Sequence, residues 1–442
     1  MKEKIKLALK DKDFSELLRG SGLSLFLRFG GLMSGYVLTL IIANLFGADG
    51  LGDYVLSITV LRLFTLLSKL GLDTTSIKFI ASFASQNKWT SIFKFRNKVV
   101  FILIISSIFF SFLLYTLSQP IADLINAQVK YIKLNSFFIL PMSFFMLHYQ
   151  SLRGLKRIAE FSFFYRMSQS LFTVVSVLII YYFIQDNEVP IYAYLVSLLL
   201  VSVLAFLSFR YNLNKKSYGK ESAEMQILKY SQILKISIPL MFAQSVQFIM
   251  AWTDKLMLGS MTTTVDVGVY HTAFKLSMFA AVALMSVNSI ASPKFAEMFA
   301  KKDFLGLKKV VHQSTKMIFW FSFPLVIVFF MFPDFLLGLF GEEFKVGVTA
   351  FIFLSCGRLI SSFSGSVGNI LQMTGNQNIY AIILLIGAIL NVVLNLILIP
   401  LYGINGAAIA SMSSLIVWNL SMVLVVKQKF GFYTFYIPFI KR

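Results

Sequence analysis

The sequence predicts an all-α integral membrane protein of about twelve transmembrane helices arranged as two six-helix lobes. Three observations carry that prediction: the depth of the apolar runs, the one-sided placement of lysine and arginine, and a pattern that recurs in the two halves. The 442 residues are 57% hydrophobic and 14% charged, with mean hydropathy +0.77. Soluble domains hold about 45–50% apolar and about 25% charged residues. The net charge of +20 would suggest nucleic acid in a soluble chain. Here the apolar runs exclude that partner, and the question becomes where the charge sits. Cys356, the single cysteine, lies in an apolar stretch, which excludes a disulfide framework and a cysteine-based metal site. His148, His271 and His312 are far apart in sequence, so neither a metal nor a cofactor is expected. The opening residues are charged throughout and lack a small-residue cleavage site, so no cleavable signal peptide is expected.

A bilayer core of ~30 Å needs about twenty mostly apolar residues per helix. On that measure the first span, 20–46, carries Arg28 and the glycines Gly30, Gly31 and Gly35, which allow close packing. The second, 52–72, carries Arg62 and Lys69. The third (97–118), sixth (191–211) and eleventh (377–400) are the most apolar, as Val99–Leu117 and Ile382–Ile399 show. The fourth covers 131–152, and the fifth, 158–184, carries Glu160 near its start and Arg166 further in. The seventh (233–258) holds Gln244, Gln247 and Asp254, and the eighth (266–290) holds His271 and Lys275. The ninth covers 313–333, the tenth (346–372) carries Arg358, and the twelfth covers 404–427.

Basic residues set the orientation. Segments 1–19, 78–98, 153–157, 210–235, 294–316 and 427–442 alternate with loops that contain only Lys130 and Lys345. Lys133 and Lys255 lie just inside helix ends on that second side. Roughly thirty basic residues thus fall on one side and about four on the other, which places the first side and both termini in the cytoplasm. All loops on the opposite side are short.

The halves repeat. Gly52, Tyr54, Ser76, Lys78 and Phe79 recur at one constant offset as Gly268, Tyr270, Ser292, Lys294 and Phe295. Six helices per half, each half starting in the cytoplasm, make the repeats parallel, related by an axis along the membrane normal. The expected organisation is an amphipathic cytoplasmic segment at 1–19, where anionic lipid attracts lysine, then an N-lobe at 20–211. A polar cytoplasmic linker at 212–232 leads to a C-lobe at 233–427 and a cytoplasmic tail at 428–442.

Ionisable residues inside the spans carry the chemistry. Arg28, Arg62, Lys69, Arg166, Lys275 and Arg358 would each cost ~2.5–3.5 kcal/mol at a lipid-facing helix centre. Together that is on the order of 15–20 kcal/mol, so most must face a wet cavity, pair with acids or snorkel. Few acids are available. Asp53, Asp73 and Asp266 lie at helix ends, Glu160 lies near the cytoplasm, and Asp254 beside Lys255 reads as a local or interfacial ion. Thr59, Thr65 and Lys69 share a helical face with Arg62. Gln169, Ser170, Thr173 and Ser176 extend a polar stripe from Arg166. Ser355, Ser361 and Ser362 flank Arg358, Gln244 and Gln247 share a face, and so do His271 and Lys275.

The pattern suits a cationic, water-filled cavity for a phosphate-bearing substrate, because guanidinium binds phosphate bidentately. Its expected basic lining is Arg28, Arg62, Lys69, Arg166, Lys275 and Arg358, with Thr59, Gln169, Gln244, Gln247, His271 and Ser362 as polar lining. Plainer roles compete. Lys69 can snorkel, hydroxyl stripes can join helices, the two glutamines can bond between helices, and His271 can be a packing group.

The stretch Asn391-Val-Val-Leu-Asn395-Leu-Ile-Leu-Ile-Pro400-Leu-Tyr-Gly403-Ile-Asn-Gly406-Ala-Ala-Ile-Ala410 resembles the late-helix signature of Wzx-type polysaccharide flippases. Leu45-Phe-Gly-Ala-Asp-Gly-Leu-Gly52-Asp-Tyr54 resembles their first extracytoplasmic turn. Asp254, Leu258-Gly259 and Val267-Gly268-Val-Tyr270 resemble the same feature in the second lobe. These flippases belong to the multidrug/oligosaccharidyl-lipid/polysaccharide exporter superfamily. The resemblance runs along the whole chain in length, helix count and repeat order.

The resemblance implies a V-shaped pair of lobes around a central cationic cavity. It also implies translocation of undecaprenyl-pyrophosphate-linked oligosaccharide units (O-antigen or capsule repeats) to the outer leaflet of a bacterial cytoplasmic membrane, by alternating access. The implied partners are that lipid-linked substrate, membrane lipids, the polysaccharide polymerase machinery and a coupling ion, proton or sodium. Related lipid II flippases use arginines in the first two helices, and Arg28 and Arg62 lie in comparable helices without position-for-position equivalence. Those proteins usually have fourteen helices, so the count here favours the oligosaccharide branch. The drug-extruding branch often carries a carboxylate in its first helix, which this chain lacks, and that leaves the coupling ion open. A drug or cation extruder on the same fold is the first alternative. A membrane polysaccharide polymerase or ligase is the second, disfavoured by the short outer loops.

Overall fold

The computed structural model describes residues 12–218 and 225–436. Residues 1–11 of the expected N-terminal segment, residues 219–224 of the linker and residues 437–442 of the tail lie outside that range. Among the described residues, eight helices are long and apolar enough to cross a bilayer, or nine if Tyr230–Val246 and Ala251–Met261 together form one bent span. The long helices Lys12–Ser68 and Gln377–Phe430 are each two helices joined at a glycine. Gly47 (φ 67°, ψ −173°) and Gly403 (φ 55°, ψ −129°) make these corners, in backbone regions closed to residues bearing a Cβ.

Several other corners end on a left-handed residue at Asn87, Asn126, Lys156 or Lys302. Each is sealed by a bond reaching back five residues, such as Lys88 N to the Phe83 carbonyl (2.9 Å) and Arg157 N to that of Leu152 (2.9 Å). This pattern satisfies the carbonyls that a helix end leaves open.

The helices depart from the expected spans at several places, including the tenth, which breaks into Val348–Ser364 and Val367–Met373. The second span stops at Ser68 and resumes as Leu72–Ser85, so Ser76, Lys78 and Phe79 are helical. The fourth is broken into Val129–Ser136 and Ile139–Gly154. Pro141 falls in the first turn of the second piece, where its missing N–H needs no partner. The fifth contains a π-helical turn at Phe163–Ser168. The eighth continues past residue 290 to Ala300, through a single 3-10 turn at Met278–Ala281.

Two compact units result: Met1–Ile42 with Ser57–Phe248, and Ala43–Leu56 with Ile249–Arg442. In the first unit, Val99, Leu103, Ser107 and Leu114 of helix Trp89–Thr116 are buried, while Phe101, Ile105, Ile108, Phe109 and Phe112 are exposed. The exposed stripe is the lipid-facing side of an apolar helix. Lipid supplies little hydrophobic drive for helix association, so small polar groups join the helices instead. The Ser68 hydroxyl is 2.8 Å from that of Ser107 and 3.0 Å from that of Ser143. Asn135 Nδ2 donates to the Ser57 carbonyl at 2.8 Å. The described end of the linker is tied to this unit, with Gln226 N donating to Ser91 Oγ (2.9 Å) and Lys98 Nζ to the Leu228 carbonyl (2.8 Å).

In the second unit, Phe295, Val311, Ile370, Leu371 and Val423 belong to one apolar core. The described part of the tail packs on this unit, through Thr434 Oγ1 to the Ser364 carbonyl (2.8 Å) and Tyr436 N to that of Phe363 (3.3 Å). Segment Ala43–Leu56 joins the same unit at very close range. A Cβ on Gly52 would overlap the Thr264 carbonyl, and one on Gly268 would overlap the Ala48 carbonyl. The Ala48 N–H donates to Glu343 Oε1 at 2.7 Å, and Asn44 Nδ2 donates to the Leu339 carbonyl at 3.0 Å.

Candidate functional site

In the first unit the structure brings Lys69 and Gln244 together. Lys69 Nζ forms a buried ion pair with Asp73 Oδ2 (2.7 Å) and donates to Gln244 Oε1. The Gln244 amide donates in turn to Thr74 Oγ1 (2.7 Å) and Asp73 Oδ1 (3.3 Å). Asp73, set aside in the sequence as a helix-end residue, is this lysine's partner four residues on, across the left-handed turn at Leu70–Gly71.

Arg166 lies in the π-turn, with its guanidinium 5.1 Å from the Tyr165 ring centre. A π-turn adds one residue to a helical turn and re-aims the side chains after it. Its backbone is fixed by the first helix: a Cβ on Gly31 would stand 2.6 Å from the Arg166 carbonyl oxygen, and Ser34 Oγ meets Ser170 Oγ at 2.7 Å. Gln169 turns away into a helix contact, donating to Ser197 Oγ (2.9 Å) and the Tyr194 carbonyl (3.2 Å). Arg62 lies within electrostatic range of Tyr149, and Thr59 is fully buried. The side chains of Arg28 and Gln247 lie outside the described residues.

In the second unit, His271 and Lys275 are half-buried on helix Thr264–Ser277. Ser362 is spent on its own helix, donating to the Arg358 carbonyl at 3.1 Å. Arg358 itself lies with its guanidinium 5.3 Å from the Phe274 ring centre. It lines a cavity of about 90 Å³ that Asn391, Ser411, Ser414 and Trp418 also line. Such a volume holds water when its walls are polar.

Beside this cavity lies a cluster that the sequence reading missed. Asp254 is only 6% exposed and Lys255 only 2%, so both are buried within the protein. Asp254 Oδ1 accepts from Asn395 Nδ2 (2.7 Å), and Oδ2 accepts from the Tyr270 hydroxyl (2.8 Å) and from Ser411 Oγ. Asn395 Nδ2 also donates to Asn391 Oδ1 at 3.1 Å, while the buried Asn395 Oδ1 accepts no hydrogen bond from the described residues. The signal was in view, since Asn391 and Asn395 fall one helical turn apart in the late motif and share a face. Lys255 Nζ donates to the Ala251 carbonyl (3.0 Å) and lies over the Trp252 and Phe274 rings, 4.7 and 4.4 Å from their centres.

Comparison with known proteins gives a match to the polysaccharide biosynthesis protein family over residues 17–299 and to the MatE family over 239–397. The probable low-salt glycan biosynthesis flippase Agl15 of Haloferax volcanii is 25% identical over 227 residues. That alignment covers 51% of this chain and 46% of Agl15, so the chain spans about half the length of that relative. Two solved structures share the fold. An inward-facing multidrug resistance MATE family transporter has TM-score 0.70 and 14% identity, covering 92% of this chain and 98% of its own. The lipid II flippase MurJ in an inward closed conformation has TM-score 0.70 and 16% identity, covering 94% and 89%.

Proposed function

Because the chain belongs to the polysaccharide biosynthesis protein family, we propose that it is a flippase for lipid-linked oligosaccharides. It carries undecaprenyl-pyrophosphate-linked units from the inner to the outer leaflet and hands them to polymerase machinery. About twelve crossings place both termini in the cytoplasm, and the membrane is the bacterial cytoplasmic membrane. The observation that carries the substrate class is Arg358. Its guanidinium is held among membrane helices over Phe274, with no carboxylate in direct ion-pair contact among the described residues. Guanidinium matches the geometry of phosphate oxygens. Arg28, Arg62, Arg166 and Lys275 are further basic residues within the spans, and Lys69 is ion-paired with Asp73.

Sodium drives the cycle in this reading, and Asp254 takes it. One carboxylate with the amide oxygens of Asn391 and Asn395 and the Ser411 hydroxyl forms a set of hard oxygen donors, the type that alkali and alkaline-earth cations choose. The buried Asn395 Oδ1, which accepts no hydrogen bond from the described residues, supports that choice.

The test is purified protein in vesicles carrying a fluorescent lipid-linked oligosaccharide in one leaflet. Arrival in the other leaflet should exceed that of protein-free vesicles and rise with a sodium gradient. Equal rates with and without protein would reject the flippase reading. A drug or cation extruder remains the second reading, favoured by the MatE match over 239–397. Efflux of a lipophilic cationic dye from the same vesicles, without sugar-lipid transfer, would select it. The polymerase or ligase alternative ranks last, because the relative Agl15 is a probable flippase.

A further inference from the structure

We infer that Arg358 is the internal counter-ion of Asp254, whose partner Ser411 lines the same cavity as Arg358, so that a cation on Asp254 and the Arg358 charge oppose each other. The inference rests on the reading of Asp254 as the cation site and adds what regulates it. Asp254 has only neutral direct partners among the described residues: Asn395, Tyr270 and Ser411. Two of the cavity's walls belong to that cluster. Ser411 lines the cavity and donates to Asp254, and Asn391 lines it and accepts from Asn395. Arg358 occupies another wall. Water in the cavity can therefore link the guanidinium to Ser411, which itself donates to the carboxylate, and Arg358 lies within electrostatic range of both Asp254 and Tyr270.

A second cation near the cluster is Lys255, adjacent in sequence to Asp254. Its ammonium is occupied by the Ala251 carbonyl and two aromatic faces. Phe274 is the shared surface, since both Lys255 and Arg358 lie against its ring. A carboxylate in low dielectric needs a compensating charge. Without a bound cation, Arg358 provides it. When sodium arrives, two positive charges compete for one negative charge, and Arg358 loses its hold.

A guanidinium released in this way is available to a phosphate group. The linkage is reciprocal: if phosphate at Arg358 strengthens cation binding by some factor, cation binding strengthens phosphate binding by the same factor. Arg358 would thus exchange its partner between an internal carboxylate and the substrate, making it the residue through which ion and substrate sense each other.

The test is equilibrium binding of radiolabelled sodium to the full chain in lipid nanodiscs, at fixed pH and ionic strength. Arg358→Gln removes the competing charge and should tighten sodium binding about tenfold. Arg358→Lys restores a charge of the same sign and should bring the midpoint back to within about threefold of the parent. Asp254→Asn should abolish saturable binding. An unchanged midpoint in Arg358→Gln, alongside lost binding in Asp254→Asn, would overturn the counter-ion role and leave the cation site standing. Weaker sodium binding in both Arg358 variants would also overturn it, by showing that the side chain only packs. Saturable binding that survives Asp254→Asn, or its absence from the parent, would instead overturn the cation reading on which the inference rests.

Discussion

Gly52 and Gly268 each lie against the backbone carbonyl of the residue four positions before the other, Gly52 on Thr264 and Gly268 on Ala48. The two glycines are equivalents in the sequence repeat, so the contact is locally two-fold. Any side chain at either position would meet backbone, which cannot move aside as a flexible side chain can.

Gly52→Ala and Gly268→Ala should therefore each destabilise the protein by about 1–3 kcal/mol, the usual cost of overpacking. Thermal unfolding in detergent should show midpoints several degrees lower for both. Gly30→Ala, whose Cβ would meet only the flexible Met167 sulfur at 3.4 Å, serves as the control and should change little. Parent-like midpoints in both Gly52 and Gly268 variants would contradict the close approach.

The Lys69–Asp73 pair separates a structural role from a substrate-binding one. Lys69→Met leaves Asp73 buried without its cation and should cost about 3–5 kcal/mol. Replacing both residues with apolar ones of similar size should recover much of that loss. If the double variant is stable and still transports, Lys69 acts in structure. Stability without transport would return Lys69 to the substrate path.

Glu188 offers a pH test outside the spans. Its carboxylate accepts from Lys130 Nζ and the Tyr192 hydroxyl, and these bonds hold its pKa below the ordinary value. A depressed folded-state pKa adds stability that is complete above the unfolded carboxylate pKa and disappears as pH falls through the folded one. Glu188→Gln should unfold slightly earlier than the parent at neutral pH, and the gap should close on acidification. Glu188 is half-buried but its partner Lys130 is exposed, so added salt should shrink the gap as well. A gap that widens on acidification would show the opposite sign.

Orientation is testable with single cysteines in a chain where Cys356 is replaced by alanine. Asp49, Gln185, Lys215 and Glu342 are all exposed. Cysteines at 49, 185 and 342 should react with an impermeant reagent added outside intact cells, while one at 215 should react only after the cells are opened. The reverse pattern would invert the topology.

Much of the architecture could be read without coordinates because membrane insertion is governed by local, additive quantities. Twenty apolar residues such as those around Val99–Leu117 make a span wherever they occur, and basic residues in short loops bias each crossing independently. The glycines at 47 and 403 were legible as turns for a similar reason, since the backbone there admits little else. Breaks within spans were harder to see. The π-turn at Phe163–Ser168 and the interruption at Phe137–Phe138 depend on packing against neighbouring helices, and hydropathy averages over them.

The sequence alone thus determined that this is a polytopic α-helical membrane protein, repeated in two halves, with basic residues inside its spans that lipid would reject. Only the tertiary structure decided which partner each charge has. Lys69 pairs with Asp73 four residues on, across the turn at Leu70–Gly71, and also with Gln244. Asp254 meets Asn395 and Ser411, 141 and 157 residues further along, and Arg358 lines the cavity beside them. Helix periodicity says which side chains share a face but not which face of another helix it will meet. A buried charge is decided by that meeting, because in low dielectric its energy depends on the few ångströms to its nearest partners.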